Sequence, residues 1–352
     1  MRELERFTLS PQVRGGGWGG VGWSHDDTYL AFAHWGSPYI DIYKKDSGGN
    51  FSRLSDPEYM PEDTCCDAAF SHDSTYLAIP AYDPTLLIYK RDGDTFTKLN
   101  TIDTMPTGVG DSVGFSHDST YLAVTHSQSP YISIYKRDGD DFNKLSNPAD
   151  LPPNTGRGVG WSSDDNYLAV GHVSAHNQIG IMVYERDGDT FTKLNFEEGY
   201  AVGVARQVSW FGNTYLACTA GASDDWVNIY KRDGSSFVKL DRPESLNTGW
   251  SYGVSFTSDG NYLVVVGDTS PYIALYERDG DTFTRVDDPD LLPPGTCRKC
   301  SFSHGSDYLA ISLSSHPFST MYTFFITVPT PILSLAQIHS DIEVSWEYDL
   351  DD

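Results

Sequence analysis

A sevenfold repeat governs what this chain can fold into. Tyr-Leu-Ala, once varied to Tyr-Leu-Val, begins at Tyr29, Tyr76, Tyr121, Tyr167, Tyr215, Tyr262 and Tyr308. The spacings are 47, 45, 46, 48, 47 and 46 residues, so seven units fill nearly all of the 352 residues. Self-similarity at such a period is the signature of a repeat architecture. Each unit holds four short apolar stretches rich in Val, Ile, Tyr and Phe; in the third they are residues 112–116, 121–125, 131–135 and 142–145. Their length and composition are those of strands. Ser-His-Asp-Ser-Thr joins the first two and Arg-Asp-Gly-Asp the last two. Asp-Gly there predicts a type I′ hairpin turn. No ten-residue window carries a helical period, which excludes a helical repeat. The expected fold is all-β: a seven-bladed β-propeller of four-stranded antiparallel blades.

Residue size orders the strands, here lettered a to d. The first carries a small residue (Gly22, Ala69, Gly114, Gly160, Ser209, Ser255, Ser301) just before an aromatic (Trp23, Phe70, Phe115, Trp161, Trp210, Phe256, Phe302). Small residues suit strands crowded around an axis, so this is the innermost strand a, and its aromatic should pack on the neighbouring blade. The seventh unit lacks the Asp-Gly turn and a strand d. Phe7-Thr-Leu-Ser-Pro11 matches Phe142-Asn-Lys-Leu-Ser-Asn-Pro148, shortened by one residue. Residues 4–10, within a closing segment 1–10, are therefore expected to form the outer strand of blade seven and lock the ring.

The propeller thus spans residues 1–327, leaving 328–352 as an extension. There Ile342, Val344, Trp346 and Tyr348 alternate with Glu343, Ser345 and Glu347. That is a period-two strand with one apolar face, paired in a hairpin with residues 332–338. A lone hairpin is marginal in water, so this one should dock, either on the side of its own propeller or, as favoured here, by pairing with a neighbouring chain in a larger assembly.

Composition excludes several classes. Lys plus Arg number 24 and Asp plus Glu 49, a formal charge of −25. Such a field repels phosphates, so neither nucleic acid nor an anionic membrane surface is an expected partner. No apolar run approaches the roughly 20 residues that span a bilayer. Residues 1–7 have no signal-peptide core, so synthesis in a cytoplasm is expected. Five Cys (65, 66, 218, 297, 300) are too few and too odd for a disulfide scaffold.

No cofactor or metal is expected. His25, His72, His117 and His304 sit in the Ser-His-Asp or Ser-His-Gly turns and are read as serving those turns, spread too widely around the ring to converge. The Asp92-Gly-Asp94 turn lacks the acid at position twelve of a calcium loop. Cys65 and Cys297 occupy the same place in blades two and seven, apart from each other, and are read as small hydrophobes. There is no Gly-x-Ser-x-Gly, no phosphate loop and no Ser-x-Asp-x-Gly-x-Thr-Trp box, so the chain is expected not to be an enzyme.

The two faces of the ring differ. The a–b and c–d turns are near copies, whereas the b–c and d–a loops vary. Varied loops on a rigid scaffold are where binding resides. The candidate partner- or glycan-binding residues are Trp35, Tyr82, His126, His172 and Trp226 from b–c loops, and Trp18, Arg157, Arg206, Trp250 and Arg298 from d–a loops. These residue types anchor interfaces and stack on sugars.

Residues 115–123, Phe-Ser-His-Asp-Ser-Thr-Tyr-Leu-Ala, followed by Ile-Ser-Ile-Tyr-Lys at 132–136, resemble a WD-repeat, without its Gly-His dipeptide and with Tyr-Lys or Tyr-Glu ending strand c. That likeness covers residues 1 to about 327 and implies architecture. Near-identical units ending Ile-Tyr-Lys-Arg-Asp-Gly-Asp-Thr-Phe-Thr-Lys-Leu are similar to those in tailed-bacteriophage and prophage virion proteins. This resemblance implies a non-catalytic tail, fibre or decoration component of a virion, attached to other virion proteins or to host glycan. A cytosolic scaffold and a lectin-like propeller are the alternatives.

Overall fold

The computed structural model describes residues 2–174, 180–195, 203–220, 226–243 and 249–326. Among these there is no helix. Seven separate four-stranded antiparallel sheets follow one another along the chain and form a seven-bladed β-propeller. Blade three is representative: Gly110–Phe115, Tyr121–His126, Ile132–Asp138 and Asp141–Lys144 are strands a to d. Blade seven takes Cys297–Phe302, Tyr308–Leu313 and Ser319–Ile326 from the end of the unit and its outermost strand, Arg2–Phe7, from the N-terminus. The closing strand is as expected, two residues earlier at its start and three at its end. Its register runs from Arg2↔Ile326 to Phe7↔Met321. The extension at 328–352, with Ile342, Val344, Trp346 and Tyr348, lies outside the described residues.

The core is seven wedges, one at each boundary between blades. Successive side chains of a strand point to opposite faces, and here both faces are covered. In strand b of blade three, Tyr121 and Ala123 pack toward blade four while Leu122 and Val124 pack toward blade two. The strand is therefore apolar over Tyr121 to Val124 and buried along its whole length. The strand-a aromatics cross the boundaries as expected. The indole N–H groups of Trp23, Trp161 and Trp210 donate to the strand-a carbonyls of Ser301, Gly114 and Gly160 in the preceding blade, at 3.0–3.1 Å. Small residues are needed beside them: a Cβ on Gly22 would lie 2.3 Å from the Ala68 carbonyl oxygen.

The copied polar residues form a clasp between blades. Tyr29 at the start of strand b donates to Asp94 in the next blade's c–d turn at 2.5 Å, Lys44 Nζ lies 2.8 Å from the same carboxylate, and Arg91 stacks over the Tyr29 ring. The same set recurs as Tyr76, Asp140, Lys90 and Arg137, then with Tyr121, Asp189, Lys136 and Arg186, and again with Tyr215, Asp281, Lys231 and Arg278. Where strand c carries Glu185 in place of Lys, the facing turn carries Ser235 in place of Asp, and Arg232 reaches Tyr167 Oη directly at 3.0 Å. The two charges of the clasp are kept or lost together. Exposed ion pairs of this kind add little to stability because water and salt screen them, so the clasp fixes blade spacing more than it adds stability.

One turn differs from its expected type. Asp138 pairs with Asp141, so the turn centre is Gly139-Asp140 rather than Asp-Gly. Only the glycine has positive φ (Gly93, Gly139, Gly188, Gly234 and Gly280, at 56–60°). Positive φ at the first central residue alone is the pattern of a type II′ turn, not type I′.

Candidate functional site: a cup at the axial mouth

On the face carrying the b–c and d–a loops, the axis opens into a cavity of about 490 Å³. Its wall comes chiefly from one register position. The residue four before the strand-a aromatic is Cys66, Asp111, Arg157, Arg206, Tyr252 and Arg298 in blades two to seven, and all six line the cavity. In blade one that position is Gly19, and its neighbour Trp18 lines the cavity instead. The b–c side adds Trp35, Tyr82 and Ser127, each six residues after the tyrosine that opens strand b.

A backbone device aims these side chains inward. The a–b ladders shift register between Gly110 and Ser112, Gly156 and Gly158, Ser251 and Gly253, and Cys297 and Cys300. Each bulge brackets a wall residue: Asp111, Arg157, Tyr252 and Arg298. A bulge leaves its extra residue unpaired and re-aims its side chain. Arg157 and Arg298 thus belong to bulged strands, not to d–a loops as expected from sequence. Trp18 is presented by a glycine run. Gly17 has φ +115°, and a Cβ on Gly19 would sit 1.8 Å from the Ala33 carbonyl oxygen.

The structure brings six of the ten expected binding residues into this cup: Trp18, Trp35, Tyr82, Arg157, Arg206 and Arg298. It places the others elsewhere. His126 and His172 end their b strands and are buried, at 0 and 2 % exposure. His126 Nε2 is 3.1 Å from Ser133 Oγ and His172 Nδ1 is 3.0 Å from the Val173 carbonyl. They are core groups beneath the rim, out of a partner's reach. Trp226 is half-buried against the wedge between blades five and six. Trp250 is exposed but does not line the cup. Tyr252 is not among the expected binding residues; its place four residues before Phe256, shared with the other wall residues, is the signal that marks it.

Electrostatics sharpen the picture. Arg157 Nη1 lies 2.5 Å from Asp111 Oδ2. Burial pushes the Asp111 carboxyl upward, with Arg157 and then Lys299 opposing. Lys299 Nζ reaches across the axis to Asp67 at 2.6 Å, and Ser112 donates to the same carboxylate at 2.6 Å. Gln207 also crosses, donating to the Cys300 carbonyl at 2.8 Å. These bonds tie blades seven, two, three and five together. The Cys66 thiol is held well above its usual value, first by burial and then by Asp111, so it stays protonated at neutral pH. The five cysteines are free and buried. Among the described residues no group of three or more His, Cys, Asp or Glu has the geometry of a metal site.

The opposite mouth corrects another expectation. His25, His72, His117 and His304 do converge. The ring centroids of His25 and His72 are 3.5 Å apart, those of His25 and His304 4.4 Å, and those of His72 and His117 5.0 Å. They come from consecutive blades seven, one, two and three, whose inner a–b turns lie close to the axis. The turn Asp caps its own turn as read from sequence: Ser116 Oγ donates to Asp118, which accepts the Thr120 N–H at 2.8 Å. The imidazoles do not serve their own turns: His117 Nδ1 lies 3.4 Å from Asp165 and His304 Nδ1 3.6 Å from Asp27, each in the next blade.

This cluster carries a pH prediction. Burial, then the neighbouring imidazoles His25, His117 and His304, push His72 down to about 4; Asp165 opposes weakly. The unfolded imidazole takes its proton near pH 6.5, the folded one only near 4, so stability is lost as pH falls through that window. The turn carboxylates Asp26, Asp27, Asp73 and Asp165 are held below 3.8, so their contribution is lost only at lower pH. Thermal melts at pH 7 and 4.5 should show a smaller drop for His72→Gln than for wild type. Buried His126 adds a loss of the same sign to both proteins and cancels in the comparison. Equal drops would show that His72 is not the titrating group.

In comparisons with known proteins, no family model and no curated protein matches this chain.

Proposed function

We propose that this chain is a non-catalytic recognition propeller that captures its partner in the axial cup, and that it serves as an attachment component of a phage particle. One observation supports the recognition reading. While the a–b and c–d turns are near copies from unit to unit, one register position on the other face diverges into Cys, Asp, Arg, Arg, Tyr and Arg, and those side chains meet in one cavity. Asp111, engaged by Arg157, and the protonated Cys66 are poorly suited to acid–base or nucleophilic work. The virion setting rests on the resemblance of the repeats to phage proteins. The aromatic wall favours host-surface glycan over a protein scaffold as the partner. Labelled protein applied to a glycan array and to bacterial cells tests this. Trp18→Ala and Trp35→Ala should weaken binding at least tenfold, while Asp118→Ala in a copied turn should leave it unchanged. Loss confined to the copied-turn variant would reverse the assignment of faces.

A further inference from the structure

Resting on that recognition reading, we propose that the cup is specific for a sugar ring that carries a carboxylate. The chain as a whole is strongly acidic at −25, yet Arg157, Arg206, Arg298 and Lys299 line this cavity. Two of these cations are already matched, Arg157 by Asp111 and Lys299 by Asp67. Arg206 and Arg298 meet no carboxylate among the described residues. They lie over aromatic rings instead. The Arg298 guanidinium carbon is 3.6 Å from the Trp18 ring centroid and 4.5 Å from that of Tyr252, and Arg206 is 5.3 Å from both.

Stacking holds a guanidinium by its face and leaves its N–H edge to find acceptors. Arg298 Nε and Nη1, and Arg157 Nε, are buried and have no acceptor among the described residues. Buried donors on a cation are costly when unmatched. A carboxylate offers two acceptors in the plane that the guanidinium fork requires.

The other half of the cup argues for a sugar as the bearer of that carboxylate. Trp18 and Trp35 stack at 25° with centroids 6.1 Å apart, and Tyr82 stands edge-on to Trp35 at 67°, its centroid 6.3 Å away. All three are more than a third exposed. The indole pair is a platform for the C–H face of a pyranose, with Tyr82 as a side wall and a cationic edge for the charge. A cavity of about 490 Å³ has room for one or two sugar rings. Free phosphate would leave the platform uncovered. An acidic protein segment would need a far broader contact than this cup provides.

The test uses the intact protein, tryptophan fluorescence and ligand-observed NMR. The probes are the methyl glycosides of galacturonic acid and N-acetylneuraminic acid, neutral methyl galactoside, inorganic phosphate and a glutamate-rich peptide. An acidic sugar should bind at least tenfold more tightly than its neutral counterpart. Arg298→Gln, with its melting temperature checked, should abolish that difference. Trp35→Ala should weaken acidic and neutral sugars alike. Equal affinity for acidic and neutral sugars overturns the proposal and leaves the recognition reading standing. Tighter binding of phosphate or of the peptide, or no binding of any probe, overturns it too. The recognition reading itself fails if Trp18→Ala and Trp35→Ala leave cell and array binding intact.

Discussion

Removing residues 1–10 is expected to open the ring and to be the most damaging single change. The segment reaches both boundaries of blade seven. Leu4 is buried in the wedge with blade six and Leu9 in the wedge with blade one. Phe7 stacks on Phe51 of blade one at 5.8 Å and meets Tyr308 edge-on at 6.2 Å. Arg6 donates to the Leu292 carbonyl on the blade-six side. Burial of the two leucines contributes about 1.5–3 kcal/mol each. The truncation also removes a full ladder on Ser319–Ile326 and bares an apolar edge, which invites aggregation. The melting temperature should fall by about 10 °C or more, with loss of the monomer on size exclusion. A synthetic peptide of residues 1–10 added in excess should recover part of the loss. A truncated chain that stays monomeric with an unchanged melting temperature would show that the ring closes without this strand.

Lys299→Met is expected to have the next largest effect. Its ammonium and the Asp67 carboxylate are each about 10 % exposed and 2.6 Å apart, joining blades seven and two across the axis. Removing one partner of such a pair leaves the other charge buried and unmatched, at a cost of about 3–5 kcal/mol. The Ser112 hydroxyl still donates to Asp67 but carries no charge. The double variant Lys299→Met, Asp67→Leu should regain most of that stability, since apolar replacements of buried pairs are often neutral. Denaturant melts of the two single variants and the double variant give the coupling directly. Additive losses would show that the two groups do not act as a pair.

Architecture was legible because the chain states it seven times. Strand order followed from small residues before the strand-a aromatic, and closure from the missing strand d. The details that misled were those where a one-residue shift matters. The turn centre moved from Asp-Gly to Gly-Asp because the ladder extends through Asp138↔Asp141. The b–c loops are less varied than they read: Ser-Pro-Tyr recurs at residues 37–39, 129–131 and 270–272, each closing a turn such as Tyr39 N–H to the Gly36 carbonyl. Two residues before that tripeptide, six after the strand-b tyrosine, these three loops differ: Trp35, Ser127 and Asp268. His126 and His172 sit one residue earlier, and that single step places them under the rim, next to Ser133 and the Val173 carbonyl.

The cup was half legible. Its residue types were visible, but their meeting place depends on bulges, which have no fixed sequence mark. Radius decided the histidines. The blades splay outward, but their inner turns crowd the axis, so four consecutive turns bring their imidazoles together. Repeat position alone does not separate inner from outer turns without that geometry.

The decisive experiment is a crystal structure of the full-length protein with the methyl glycoside of N-acetylneuraminic acid. The sugar should lie in the cup, its carboxylate about 3 Å from the Arg298 guanidinium nitrogens and its ring against Trp18 or Trp35. Density for the sugar at the histidine mouth, with the cup unchanged, would show that the cup is not the binding site.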